Sequence, residues 1–422
     1  MVKLLQNSKK VFNFSWVIAS IVAAYPVSSV YANNVTYKGI QYGSSEDPFS
    51  LQIKGALKLD QRLFLGKTYN VFHNGALIRE LSLNFDGSFG KDISVALGLG
   101  FDPIESTVSV DDAYITYKGF KGFGDNFQIS IGKVNPTFCL ENHSSGKWIP
   151  FLEKSSVTTT FRPDPGLGFS INKWQNDYSL NASITQPKSN YKLLDADGNK
   201  VTKSDRFQYN ARVTKAYLWK SNQLIQAGVF GNYNNDQGLG IEFSTSPELR
   251  TRNSTSELLN TTKDTPNKVN SRIKSKNHYT VGAEILAQNG PFSVDLEYQF
   301  TKVNRDKTQA PDNLKFKGYR SNFNYVLTGE SRIFRSSDGT LGQVIPESPS
   351  GAWEISGRYD YLNLNNKDII GGRAHHMGVA ATWYANYNFS TTIEYVRSKI
   401  NKRETLERLN VNTVGARLQL VF

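Results

Sequence analysis

A long alternation of apolar and polar residues is the feature that most limits what this chain can fold into. In residues 50–64, SLQIKGALKLDQRLF, one parity is mostly apolar and the other carries the charge. Because successive side chains of a β-strand point to opposite faces, the segment predicts a strand with an apolar face and a charged face. Whether the apolar face packs on a protein core or on lipid depends on the rest of the chain.

The N-terminus predicts an exported protein. Lys3, Lys9 and Lys10 precede an apolar run at 16–25, and small residues follow up to Ala32. A basic start, a short apolar run and small residues before a cleavage point are typical of a secretory signal peptide. The run would span a bilayer poorly, so an uncleaved helical anchor is the weaker alternative. We expect a signal peptide at 1–32.

Composition agrees with an exported β-protein. Beyond residue 32 there is no run of about 20 apolar residues, so no transmembrane helix is expected. Aromatic residues make up 12% of the chain and 33 residues are glycine, which suits an outer-membrane barrel. The formal charge of +12, less three lysines of the signal peptide, leaves about +9 and favours anionic partners. Nucleic acid is not an expected partner of an exported protein.

The alternating pattern recurs along the whole chain. It predicts about sixteen strands, separated by turns and loops. Their approximate ranges are 50–64, 76–89, 91–102, 109–119, 125–135, 165–174, 177–186, 205–219, 222–233, 277–289, 291–303, 314–330, 350–364, 373–385, 388–400 and 409–422.

Short and long links alternate between these strands. Membrane barrels have brief periplasmic turns and long outer loops, and closure of the sheet satisfies backbone groups for which lipid offers no partner. We therefore predict an all-β fold, a closed antiparallel transmembrane β-barrel of about sixteen strands at 50–422, in the bacterial outer membrane. Residues 33–49 would form an N-terminal extension. The link at 331–349 is the exception, because it is long where a short turn is due.

Several segments carry the motifs of one family in the same order. Residues 279–300 combine a Gly-x-Glu strand with a Gly-Pro-Phe-Ser turn, 318–332 contain Leu-Thr-Gly-Glu-Ser-Arg, and 351–365 begin Gly-Ala-Trp-Glu. DAYITYKGF at 112–120 and FCLENHSSGKW at 138–148 continue the likeness in the N-terminal half. On these segments the chain resembles the phosphate-selective porins O and P. The resemblance implies a sixteen-stranded homotrimeric barrel that conducts anions, notably phosphate or polyphosphate.

Strand parity identifies the residues that would face an aqueous lumen. A phosphate that leaves water needs replacement donors, which guanidinium and ammonium groups supply. Several weak sites in a row conduct better than one tight site, because the ion must also leave. The basic candidates for this anion path are Lys54, Lys58, Arg62, Lys118, Arg212, Arg320, Arg358 and Arg417.

Acidic residues share the inward parity, among them Asp60, Asp112, Glu284 and Glu297. Pairing with a neighbouring acid is therefore the competing interpretation for every basic candidate. The resembled family usually opens its second strand with two arginines, where this chain has Arg79 and Glu80. We expect Glu80 and Asp112 to weaken the preference for anions.

The loop at 136–164 is predicted to fold inward and form the constriction, because a long loop after an early strand can enter the lumen. Within it, Ser144, Ser145 and Lys147 resemble the hydroxyl and cation cluster expected to touch phosphate. An ordinary polar outer loop is the alternative interpretation.

The sequence offers little support for an enzyme. The five histidines lack metal-ligand spacing, and neither a nucleophile elbow nor a phosphate-binding loop is found, so no catalytic residue, metal or cofactor is expected. Cys139 is the only cysteine, which excludes an internal disulfide. Two other functions stay open. One is a general diffusion porin without phosphate selectivity, and the other is a surface barrel whose long loops, especially 234–276, mediate adhesion.

We predict that the mature protein begins near Asn33, because the small residues that end at Ala32 fit a signal peptidase. N-terminal sequencing of the protein purified from membranes measures this directly. A mature chain that still contains Trp16 would contradict the outer-membrane assignment.

Overall fold

The computed structural model describes residues 39–44, 46–66, 72–102, 107–124, 126–187, 206–249, 257–265, 268–306, 312–403 and 406–422. The expected signal peptide lies outside the described residues. The described residues belong to one compact unit, Tyr37–Phe422. Within it, no helix has the length and apolar character needed to cross a bilayer.

Sixteen antiparallel strands form one closed sheet, as the alternating pattern predicted. In chain order they are β1 (Phe49–Leu65), β2 (Gly75–Phe89), β3 (Ile93–Asp102), β4 (Thr107–Tyr117), β5 (Phe127–Val134), β6 (Gly166–Trp174), β7 (Tyr178–Pro187), β8 (Gln208–Lys220), β9 (Gln223–Ile241), β10 (Ile273–Asn289), β11 (Phe292–Arg305), β12 (Leu314–Val326), β13 (Ala352–Asn366), β14 (Ile369–Tyr384), β15 (Phe389–Arg403) and β16 (Leu406–Val421).

Pairing of the first strand with the last closes the barrel. β1 and β16 run antiparallel in a register that extends from Ala56 opposite Val421 to Leu65 opposite Asn412. Two further backbone bonds join Gly55 to Phe422, at 2.9 and 3.2 Å, so pairing continues to the last residue. Below that point a short strand, Ile40–Tyr42, pairs with β1 and covers the edge that β16 does not reach.

Side chains alternate between lipid and lumen along each strand. On β8, Tyr209, Val213 and Tyr217 are exposed on the outer surface, whereas Asn210 and Arg212 are buried inside. Apolar residues therefore face the bilayer, where they lose nothing by exposure, and polar residues face the lumen. The apolar face of β1 therefore contacts lipid and not a protein core.

The links between strands depart from the predicted alternation at three places, one of which is the link between β15 and β16, only two residues long. The link at 327–351 is long at the short-turn end and contains a hairpin of Arg332–Arg335 and Thr340–Val344. At the opposite end, only two residues join β13 to β14, and Lys367 adopts a φ of 53° to make this turn. The strands β9 and β10 also continue past their expected ends, because their pairing resumes after an irregularity between Asn235 and Leu239.

Three links fold into the barrel and fill much of it. We call them the constriction loop (135–165), the β9–β10 loop (described at 242–249, 257–265 and 268–272) and the β12–β13 loop (327–351). The constriction loop contains two short helices, α1 (Leu140–His143) and α2 (Ser156–Phe161). Its rings pack on the other elements, with Phe138 4.9 Å from Phe230 on β9 and Phe161 5.7 Å from Phe243 in the β9–β10 loop. An apolar core thus lies inside the barrel, beside the polar lumen.

An ion pair inside the lumen crosses the closing seam. Asp60 of β1 accepts hydrogen bonds from Arg417 of β16 at 2.7 and 2.8 Å, and its carboxylate is also 2.5 Å from Arg62. The side chain of Asp60 is fully buried. Loss of one partner in such a buried pair leaves an uncompensated charge, which is strongly destabilising.

We therefore expect Asp60→Ala to lower the free energy of unfolding by about 3–5 kcal/mol. The measurement is denaturant unfolding of the barrel in detergent, followed by tryptophan fluorescence. The matched control is Asp177→Ala, which breaks the exposed pair with Lys215 on the outer surface and should change little. Equal midpoints for Asp60→Ala and the wild type would show that the seam does not depend on this pair.

Candidate functional site

Carboxylates of the barrel wall hold one side of the constriction loop. The backbone N–H of Leu140 donates to Glu284 at 2.8 Å, and that of Glu141 donates to Glu297 at 2.7 Å. The first N–H groups of a helix have no partner within the helix, so these wall acids satisfy them. Strand parity predicted that Glu284 and Glu297 face the lumen. There they hold the constriction loop against β10 and β11.

The same loop is bound to the opposite wall. The N–H of Leu152 donates to Glu394 of β15 at 2.7 Å, and Gln419 of β16 donates to the carbonyl of Lys147 at 3.0 Å. Lys58 of β1 donates to the carbonyl of Gly146, also at 3.0 Å. Contacts on both sides of the barrel mean that the constriction loop bridges the lumen.

The β12–β13 loop enters the lumen from the other end and meets the constriction loop. Arg332 forms a buried ion pair with Glu354 at 2.5 Å and donates to the carbonyl of Trp148 at 2.7 Å. Farther along the loop, the carbonyl of Gly339 accepts from Gln226 of β9 at 2.9 Å. The long link that broke the alternation in the sequence is therefore an inward segment and not an external turn.

Seven of the eight basic candidates lie inside the barrel, and each is paired with a carboxylate. The pairs are Lys54–Asp86 (2.9 Å), Lys58–Glu80 (2.6 Å), Arg62–Asp60 (2.5 Å), Arg212–Glu284 (2.6 Å), Arg320–Glu297 (2.7 Å), Arg358–Glu141 (2.8 Å) and Arg417–Asp60 (2.7 Å). The eighth, Lys118, follows the end of β4 and is exposed at the short-turn end. Pairing cancels much of the positive charge that the wall would otherwise present to an anion.

A β-bulge turns two adjacent residues of β2 into the lumen. Glu80 lies opposite Lys58, but the next pair joins Leu59 to Ile78, so Arg79 is the extra residue. Arg79 donates to Glu153 of the constriction loop at 2.6 and 2.8 Å. Strict alternation would point Arg79 at lipid, and the bulge that redirects it leaves no signal in the sequence.

The three predicted loop residues make local contacts. The hydroxyl of Ser144 donates to the carbonyl of Leu140 at 2.8 Å, and that of Ser145 accepts from the N–H of Lys147 at 3.3 Å. Asp112 of β4 accepts from the amide of Asn135 at 2.7 Å. These hydroxyls therefore support the loop backbone, and Asp112 contacts the start of the same loop.

A cavity of about 340 Å³ lies between β1, β2, the constriction loop and the β9–β10 loop. Its described charged lining comprises five cations, Lys58, Arg79, Lys154, Arg162 and Arg417, and four anions, Glu80, Glu153, Glu248 and Glu257. Its hydroxyl-bearing lining consists of Ser156, Thr159, Ser244, Thr245 and Ser246. The near balance of charge and the many hydroxyls suit weak contact with a small ion rather than tight binding.

Two cations in this lining differ from the others. Lys154 donates to the carbonyl of Asn142 at 2.7 Å, and Arg162 is exposed just after α2. Within the part of the chain that the structure describes, neither has a carboxylate within salt-bridge distance. Neither residue is among the candidates that strand parity identified, although they are two of the three cations in the loop predicted to fold inward.

Burial lowers the pKa of Lys154 to about 8, and the nearby charge of Glu141 opposes this shift. The neighbouring Arg162 lowers the same pKa further. The amine is positively charged below this pKa and loses its charge as the pH rises through it. Lys154 is thus a cavity-lining charge that mild alkali would remove.

Comparison with known proteins gives a consistent result. The family model described as phosphate-selective porin O and P matches residues 51–422. Porin O of Pseudomonas aeruginosa is 26% identical, over 91% of this chain and 93% of its own length. Among solved structures, in-vitro folded OmpT, an outer membrane protein of Vibrio cholerae, has a TM-score of 0.55 at 9% identity, covering 89% of this chain and 98% of that one.

Proposed function

Because the chain belongs to the phosphate-selective porin O and P family and is an outer-membrane porin, we propose that its channel passes small phosphate-like anions with a modest preference over cations. The preference would arise at the cavity beside the constriction loop. We further propose a homotrimer, in keeping with the family.

The observation that carries this proposal is the contrast between paired and unpaired cations. The wall cations form ion pairs, whereas Lys154 and Arg162 line the cavity without a carboxylate partner among the described residues. An anion that loses water there would meet an ammonium group, a guanidinium group and the hydroxyl of Ser156, which is buried and has no hydrogen-bond partner among the described residues. Hydroxyl donors add contacts without holding the ion by charge, so it can also leave.

The preference is proposed to be modest because acids line the same cavity. Glu80 holds the ammonium group of Lys58 at 2.6 Å, where the family usually has a second cation. Glu153 likewise neutralises nearby cations, because it forms ion pairs with both Arg62 and Arg79. A general diffusion porin is the limiting case, in which the net field of this lining is too small to separate anions from cations.

We expect Glu80→Gln to raise the permeability of anions relative to cations, because it releases Lys58 from its partner. The change should be of the order of twofold at low salt and smaller at 1 M, where the Debye length is about 3 Å. The measurement is the reversal potential of single channels in a planar bilayer under a potassium chloride gradient. Asp177→Asn, on the outer surface, is the matched control and should have no effect. An unchanged reversal potential in Glu80→Gln would remove the Lys58 and Glu80 pair from the conducting path.

A second prediction concerns pH. Since the pKa of Lys154 is about 8, the anion preference should fall as the pH rises from 7 to 9. Lys154→Arg should abolish this dependence because a guanidinium group stays charged, and Lys154→Gln should show the low preference at every pH. The same reversal potentials, recorded across this range, provide the measurement. A pH dependence that persists in Lys154→Arg would exclude Lys154 as its source.

A further inference from the structure

The outer surface of the barrel carries basic residues in register across its C-terminal strands. We use the word level for a row of residues that are paired side by side across neighbouring strands. One level runs from Lys317 of β12 through Asn363 of β13, Arg373 of β14 and Asn401 of β15 to Arg408 of β16. Adjacent levels add further cations. We call the set the basic band, and its members are Lys302, Lys315, Lys317, Arg373, Arg397, Lys399 and Arg408.

The strands of the basic band carry no outward acid beside it, and acids just beyond the strand ends, Asp306 and Asp312, pair with Lys274 and Lys367. The outward positions of β10 to β15 that the structure describes hold no aspartate or glutamate, since the acids of these strands, such as Glu297 and Asp360, are buried inside. None of the seven cations has a carboxylate within salt-bridge distance among the described residues. Lys302 instead lies 6.0 Å from the centre of the ring of Tyr279. The cations of the basic band thus differ from those of the lumen wall, which form ion pairs with carboxylates.

The band lies at the boundary of the bilayer. The level below Lys317 joins Tyr319 to Tyr361 and then to His375. The next level still contains Arg397, and the outer surface becomes apolar one level farther, where Phe323, Gly357 and Val379 lie side by side. Trp353 and Trp383, stacked at 6.0 Å, mark the opposite boundary. From Asn363 to Trp353 along β13, ten residues rise roughly 33 Å, which for the usual tilt of about 40° is about 25 Å along the membrane normal. That is the expected height of the lipid-facing zone.

The band occupies the long-loop end, which faces outward in barrels of this kind, and only part of the circumference. The corresponding outward positions of β1 to β4 are apolar or uncharged, for example Leu65, Val108 and Val110. The cations are thus concentrated on one part of the outer surface, where a ligand with several negative charges can contact more than one of them.

We propose that the basic band binds the phosphate groups of an anionic lipid in the outer leaflet. Guanidinium and ammonium groups are the natural partners of phosphate, and the intervening asparagines can donate further hydrogen bonds. Lys317 and Arg373 are two strands apart, as are Arg373 and Arg408, so the cations of the first level recur at roughly 10 Å. A lipid with more than one phosphate could contact two of them while its acyl chains lie on the apolar levels below.

The test compares lipid binding by the full barrel and two matched variants in detergent. The first variant combines Lys317→Gln, Arg373→Gln, Arg397→Gln and Lys399→Gln. The second removes four lysines near the short-turn end, through Lys91→Gln, Lys173→Gln, Lys215→Gln and Lys220→Gln. The probe is diphosphorylated lipid A, with its dephosphorylated form beside it, and native mass spectrometry gives the dissociation constants. Heat modifiability establishes that each variant is folded.

We expect the first variant to bind diphosphorylated lipid A about tenfold or more weakly than the wild type, and the second to stay within about twofold. Millimolar inorganic phosphate should not displace the lipid, whereas complete displacement would assign the band to free phosphate and overturn the proposal. Equal binding of the two forms of lipid A by the wild type, or an equal loss in both variants, would also overturn it. If the quadruple variant does not fold, the pair Lys317→Gln and Lys399→Gln must show an intermediate loss.

Discussion

The structure depends on the closure of one sheet. Lipid offers no hydrogen-bond partner to a peptide group, so a sheet that crosses the bilayer cannot leave an edge. The seam between β1 and β16, together with the bonds from Gly55 to Phe422, satisfies that condition. Closure fixes which side chains face inward. It thereby brings Asp60 and Arg417, from opposite ends of the chain, into one ion pair.

The interior that closure creates is occupied rather than empty. Carboxylates on the wall serve two purposes there, because some pair with wall cations and others accept hydrogen bonds from the constriction loop, as Glu284 does from Leu140. Wall charges that are held in these ion pairs and hydrogen bonds exert little field on a passing ion. We therefore expect selectivity to depend on Lys154 and Arg162, which lie on the loop and have no such partner among the described residues.

Strand parity predicted which side chains line the lumen, but it could not predict their ion-pair partners, the bulge or the direction of the loops. Alternation placed Lys58 and Arg320 in the lumen, but a list of inward cations does not say which acid each one meets. Arg79 turns inward only because of a bulge, whose position depends on the pairing of β1 with β2. The exceptional length of the link at 331–349 was visible in the sequence. Its inward direction was not, because that follows from contacts such as Arg332 with Glu354.

By itself, the sequence determined the class of fold, the number of strands and the face on which most strand side chains lie. These properties are local, since a period of two and the lengths of the links suffice to define them. The tertiary structure alone decided which charges are neutralised, which loops enter the lumen besides the constriction loop, and which cations of the described residues stay unpaired. Those properties depend on register and on contacts between residues such as Glu141 and Arg358, which are far apart along the chain. The same register aligned the basic band, whose members lie on five different strands.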